Sequence, residues 1–161
     1  MENMILEQKS MNPRIHENTF KKLYFNGARG IVFLGDKMLV YRRDNKTNNN
    51  PGKIDFPGGG REGDESPFET FQREVKEEFG IDISKEEVDF SCTIPSVVEP
   101  SAKSYFIVAK VPSSKEDSIV FGNEGDEWLL MTPEEFINRP DGIERLQKRV
   151  EKYMAGTLMS E

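Results

Sequence analysis

The sequence predicts an α/β fold, a mixed β-sheet covered by helices on both sides within a single domain. Three observations carry that expectation. Residues 67–79 form an amphipathic helix bounded by complete start and stop signals. β-Branched and aromatic runs precede and follow it as separate strands. One of those runs, SYFIVAKV at 104–111, is almost continuously apolar, as a strand covered on both faces requires.

Taken in order, residues 1–18 are polar and weakly patterned, an N-terminal arm or short helix ahead of a domain spanning 19–161. The lone His16 lies in that arm with no nucleophile or metal-binding neighbour in sequence. Tyr24 to Phe33 and Met38 to Arg43 read as two strands joined at the turn Gly35-Asp36, a hairpin. Arg29 stands on the first strand, and Arg42 and Arg43 point to opposite faces of the second, so phosphate binding and plain surface exposure compete as readings of all three. Asp44 to Gly52 is a polar loop, either a lip over a site or an ordinary surface connection.

Phe56-Pro57-Gly58-Gly59-Gly60 then reads as a turn, because glycine accepts backbone conformations closed to other residues. Ser66 is the expected N-cap of the helix, with Pro67 at its first position, Glu69 completing a capping box and Gly80 ending it. At about 100° per residue, Phe68, Phe71, Val75 and Phe79 share a stripe that must be buried, and Glu74, Glu77 and Glu78 share a neighbouring arc. Carboxylates at that spacing repel one another by a few tenths of a kcal/mol per pair. A hard divalent cation would offset the repulsion, and Arg73 adds a planar cation able to orient the carboxylates; a solvated acidic face is the alternative.

Beyond the helix, Val88 to Val97 and Tyr105 to Val111 are expected strands with a break at Glu99-Pro100-Ser101. Pro112 to Asp117 reads as a loop, Ser118 to Phe121 as a weak strand, Gly122 to Glu127 as an acidic loop and Trp128 to Met131 as a short strand. Thr132-Pro133-Glu134-Glu135 starts a short helix. A longer one follows from Asp141 to Ala155, with Ile143, Leu146, Val150 and Met154 facing the sheet.

Composition narrows the function classes. The 161 residues suit one sizeable core, and a net charge of −7 argues against a nucleic-acid or anionic-membrane partner, since both need a basic surface. Cys92 is the single cysteine, which excludes an internal disulfide and a cysteine-rich zinc site. No apolar run reaches the roughly 20 residues of a membrane span, nor does the start resemble a signal peptide, so a cytoplasmic location is expected.

Gly59, Glu65, Arg73-Glu74, Val75, Glu77-Glu78, Gly80 and Ile81 occupy nine specified positions of GX5EX7REUXEEXGU, where U is aliphatic, over 23 residues. The stretch resembles a complete Nudix box, and the chain is identified as a member of the Nudix hydrolases on that basis. The resemblance implies the family's α/β/α sandwich. It also implies Mg²⁺, with Mn²⁺ as an alternative, held by Glu74, Glu77 and Glu78, with Glu65 assisting and the Gly59 carbonyl as a further ligand. Arg73 matches the position that steadies those glutamates. The general base comes either from Glu77 or Glu78 in the box or from Glu124 or Glu127 in the acidic loop. Substrate phosphates would meet Arg29, Arg42 or Arg43 and the close backbone of Gly58 and Gly59.

The implied reaction is hydrolysis of a nucleoside diphosphate linked to another group, NDP-X to NMP and phosphorylated X, with no nucleic acid or membrane partner; a homodimer is left open. The spacing before FPGG is similar to that of coenzyme A pyrophosphatases, although Asn48 replaces their second arginine. Pro95 falls one residue short of a proline typical of ADP-ribose pyrophosphatases. An ADP-ribose-like compound and a nucleoside triphosphate therefore both stay open. Trp128, Phe106 and Tyr105 are candidates for stacking on a base. A non-catalytic nucleotide-sugar sensor of the same fold is the competing class; an intact box with no appended DNA-binding segment disfavours it.

Overall fold

A computed structural model describes residues 24–99 and 101–161. The expected N-terminal arm and His16 lie outside the described residues. Strand β1 (Phe25–Leu34) turns at Gly35, whose φ is +62°, into β2 (Lys37–Arg43). The two strands pair only next to the turn, at Phe33 with Met38 and Leu34 with Lys37. They then splay apart, and β3 (Ile54–Asp55) and β4 (Gly58–Gly60) fill the wedge, β3 pairing with β2 and β4 with β1. The glycine segment is therefore a short strand as well as a turn.

Helix α1 (Pro67–Phe79) follows, with Ser66 and Glu69 completing the capping box and Gly80 ending the helix at φ +72°. Strand β5 (Val88–Pro95) pairs antiparallel with β6 (Lys103–Val111), and β6 runs parallel to β1. Strand β7 (Gly125–Met131) pairs antiparallel with β2, and helices α2 (Pro133–Ile137) and α3 (Glu144–Met154) close the described chain. The sheet order β3-β2-β1-β6-β5, with β4 on β1 and β7 on β2, is mixed, as expected. Gly30 permits the close approach of β1 to β6, since a Cβ there would overlap the Ile107 carbonyl oxygen.

Alternate residues of β1 divide the core. Ala28, Val32 and Leu34 pack with Phe71, Val75 and Phe79 of α1, whereas Ile31 and Phe33 pack with Phe136 of α2 and Leu146 and Val150 of α3. This two-sided cover is the α/β/α sandwich.

Several local expectations change: Met154, expected to face the sheet, is 56% exposed, and its helix starts at Glu144 rather than Asp141. Ser113–Ser118, expected as loop to Asp117 and as the start of a strand at Ser118, form a 3₁₀ helix. The expected strand Ser118 to Phe121 is absent; its backbone donors serve α1 instead, Val120 N–H to Phe79 O at 2.9 Å and Gly122 N–H to Glu78 O at 2.8 Å. Those bonds satisfy helix-end carbonyls that otherwise lack partners. Gly125 to Glu127, expected in the acidic loop, belong to β7.

Candidate active site

The site begins with the burial of α1. Its aromatic stripe draws Glu74 and Glu78 inward, leaving them 8% and 2% exposed, while Glu77 stays exposed. The segment bonded to the end of α1 then delivers Glu124. Carboxylate oxygens of Glu74, Glu78 and Glu124 lie within 4.8 Å of one another. Glu78 Oε2 accepts from the Gly58 N–H at 3.3 Å, but the buried Oε1 has no hydrogen-bond partner among the described residues. Burial, then the facing carboxylate of Glu124, push the Glu78 carboxyl up to about 10, with Arg29 opposing. Burial also raises Glu74, against the pull of Arg73.

A buried carboxylate with one oxygen unpaired, clustered with two more carboxylates, needs a proton or a cation. The oxygen-only donor set fits a hard divalent ion held by the buried Glu74 and Glu78, with the exposed Glu124 beside them. Gly59 shapes the same place, because a Cβ there would run into the Glu74 carboxylate.

Arg73 ties the assembly together. Its Nε donates to Glu65 Oε2 at 2.7 Å, Nη1 to Glu74 Oε1 at 3.0 Å and Glu77 Oε2 at 3.3 Å, and Nη2 to Gly60 O at 2.7 Å. Glu65 also accepts from the Glu62 N–H at 2.8 Å and is held below the usual carboxylate range by Arg73. The structure thus places Glu65 and Glu77 on Arg73, beside the three-carboxylate cluster. It brings Glu124 into that cluster, while Glu127 sits on Arg42, whose Nε donates to it at 3.0 Å.

The expected phosphate-binding arginines separate. Arg42 also bonds Gly52 O and Asp141 Oδ2, both at 3.0 Å, which joins the polar loop to the entrance of α3. Arg29 and Arg43 converge on opposite oxygens of Asp55, each at 2.8 Å, and both line a cleft of about 480 Å³. That cleft runs along Asn26 to Arg29 and Gly59-Gly60, and is walled by Ile94 to Val98 and by Ile143, Arg145 and Arg149 at the start of α3. The 44–52 loop contributes Asn49 and Asn50, so it does reach the cleft.

Asp55, Arg145 and Arg149 were not singled out from the sequence. Asp55 lies in a two-residue strand with no flanking pattern. The two arginines follow an i, i+4 spacing that places both on one face of α3, a signal present in the sequence beside the apolar stripe. Phe106, Tyr105 and Trp128 are absent from the cleft lining; Phe106 is fully buried.

The class is an α/β/α sandwich with a buried carboxylate cluster packed against Gly59, which also lines the arginine-walled cleft. Within that class the chain belongs to the Nudix family, as the NUDIX domain model matches residues 24–153, and it is a Nudix pyrophosphohydrolase. No curated protein matches the sequence significantly.

Solved structures share the fold. The MutT protein from Methanosarcina mazei Go1 is 23% identical, with a TM-score of 0.65 over 83% of this chain and 94% of its own. An Ap4A hydrolase from C. elegans is 20% identical, with a TM-score of 0.58 over 81% and 96%. A bifunctional NMN adenylyltransferase/ADP ribose pyrophosphatase from Francisella tularensis, complexed with AMP and a manganese ion, is 15% identical, with a TM-score of 0.59 over 95% of this chain and 52% of its own. No helix among the described residues is long and apolar enough to cross a membrane.

Proposed function

We propose that the protein hydrolyses a nucleoside diphosphate linked to a further group, NDP-X plus water giving NMP and phosphorylated X, with Mg²⁺ or Mn²⁺ as cofactor. The observation that carries this reading is the buried Glu78 carboxylate, with Oε1 unpaired among the described residues and the group clustered with Glu74 and Glu124 beside Gly59. Glu74 and Glu78 hold the cation, with Glu124 closing the cluster. When bound, the ion neutralises charge on the anhydride oxygens and makes water more acidic.

The chain's own groups do the rest. Arg29 and Arg43, fixed by Asp55, bind the diphosphate, and Gly58 and Gly59 let it approach the backbone. Arg73 positions Glu74 and, through Gly60, the β4 backbone. Water forms a new bond to one phosphorus, the bridging P–O bond breaks with its electron pair leaving on the other phosphate, and Glu124 takes a proton from the water. Glu124 is preferred to Glu77, which is bonded to Arg73, and to Glu127, which is bonded to Arg42.

The test is release of nucleotide and phosphate from nucleoside triphosphates, ADP-ribose, nucleotide sugars, dinucleoside polyphosphates and coenzyme A, in Mg²⁺, Mn²⁺ and EDTA. Metal-dependent formation of a nucleoside monophosphate is expected from one class. Tight binding of one of these without turnover would replace hydrolysis by sensing.

A further inference from the structure

The cleft holds more positive charge than a diphosphate and its cation require. Arg29 and Arg43 share the single carboxylate of Asp55. Arg145 and Arg149 line the same cleft, and neither makes an ion pair or side-chain hydrogen bond among the described residues. Partial burial lowers the affinity of both for their protons; Asp55 opposes this at Arg145 and Glu161 at Arg149, while Arg29 adds repulsion at each and Arg145 more at Arg149. Arg145 is exposed and Arg149 half-buried, so both guanidinium groups are open to an anion entering the cleft.

The start of α3 points the same way. Its N-cap is Ile143, which has no side chain able to accept from the first turn, and Ile143 itself lines the cleft. Helix N-termini carry partial positive charge; Glu144 in the first turn pairs with Lys148 at 3.3 Å, and Arg145 beside it lines the cleft. Arg149 lies over the face of Phe106, its guanidinium carbon 5.4 Å from the ring centroid. The lining contains no aromatic side chain; its apolar part is Ala28, Ile94, Pro95, Val97, Val98 and Ile143.

We infer that Arg145, Arg149 and the first turn of α3 form a second anion subsite, and that the substrate carries at least one phosphate beyond the two joined by the scissile anhydride. The inference rests on the proposed hydrolysis of a nucleoside diphosphate derivative for its placement in a catalytic cycle, and on the cleft alone for its chemistry. The additional phosphate is either a continuation of the polyphosphate chain or a phosphomonoester on X; both present the same dianionic oxygens to the arginine forks.

The experiment compares paired substrates differing by one phosphate: nucleoside triphosphate against diphosphate for the chain, and phosphorylated against unphosphorylated NDP-sugar for the monoester. The kcat/KM ratio within each pair is measured for the wild type, Arg145→Gln, Arg149→Gln and the double variant, with melting temperatures confirming folding. In one pair the wild type is expected to favour the more phosphorylated member. The double variant should lower that ratio at least tenfold, mostly through KM, and Arg149→Lys should recover part of it. The pair that responds identifies the source of the phosphate.

Calorimetric binding of inorganic tripolyphosphate in EDTA supplies a readout independent of turnover. The wild type should bind it, and the double variant at least tenfold more weakly. If tripolyphosphate binds in this way while no anhydride is cleaved, the subsite stands and the hydrolytic reading fails. Equal tripolyphosphate affinity in the wild type and a folded double variant, or unchanged ratios in both pairs, would overturn the inference.

Discussion

Replacing Glu78 by Gln keeps the shape of the most buried carboxyl group of the cluster but removes its ability to ionise. In the metal-free protein its carboxyl is pushed from the ordinary 4.5 up to about 10, chiefly by burial and then by Glu124. The folded state therefore holds a proton that the unfolded chain releases above the ordinary value. This stability is fully present below 4.5 and is lost as pH rises towards about 10. One proton corresponds to about 1.4 kcal/mol per pH unit, or a ceiling of about 2.7 kcal/mol between pH 6 and 8. Glu124 is exposed, and water around it screens part of the repulsion, so about 1–2 kcal/mol is expected. For a chain of this size that is a fall in melting temperature of about 2–8 °C.

The assay is thermal unfolding at several pH values, first in EDTA and then in Mg²⁺. Glu78→Gln cannot ionise, so its EDTA curve should lack this component of the decline. Saturating Mg²⁺, at about a hundredfold over its dissociation constant, should add about 2.7 kcal/mol to the wild type and favour higher pH, because the ligand must lose its proton to bind. The variant should lose most of that gain and at least about tenfold in activity, the equivalent of ~1.4 kcal/mol in the transition state. Parallel EDTA curves for the two proteins would refute the argument, since Glu78 would then be ionised without metal.

Glu124→Gln should lower kcat by at least about tenfold with a smaller change in KM, measured in steady state on the substrate found above; an unchanged kcat would return the base to the α1 glutamates. Gly59→Ala should weaken Mg²⁺-induced stabilisation in calorimetry, because its Cβ would displace the Glu74 carboxylate, and an unaltered metal response would separate Gly59 from the cation site. Asp141→Asn should destabilise the fold at neutral pH and lose that effect in acid. Arg139, and then Arg42, hold the Asp141 carboxyl well below its ordinary 3.8, so its contribution is present above that value and disappears as pH falls through the depressed range. Melting temperatures of both proteins along an acid series check the sign.

Helix α1 was legible in full, with its limits, its cap, its αL stop and its buried stripe, because each signal lies within a few residues of the next. The glutamate arc was legible too, but its division was not. Helical geometry puts Glu74, Glu77 and Glu78 together, and only the packing of α1 on the sheet buries two of them and leaves Glu77 to Arg73. The weak strand at 118–121 failed for a related reason: its donors found the end of α1 before any strand edge.

Sequence by itself determined the family, the α/β class and the residues of the acidic helix, since local spacing encodes all three. Tertiary structure alone decided that Glu124 joins Glu74 and Glu78, that Arg42 clamps loops, and that Arg145 and Arg149 face Arg29 and Arg43 across one cleft. These pairs are separated by tens to over a hundred residues, and no local periodicity reports which chain segments a sheet will bring together.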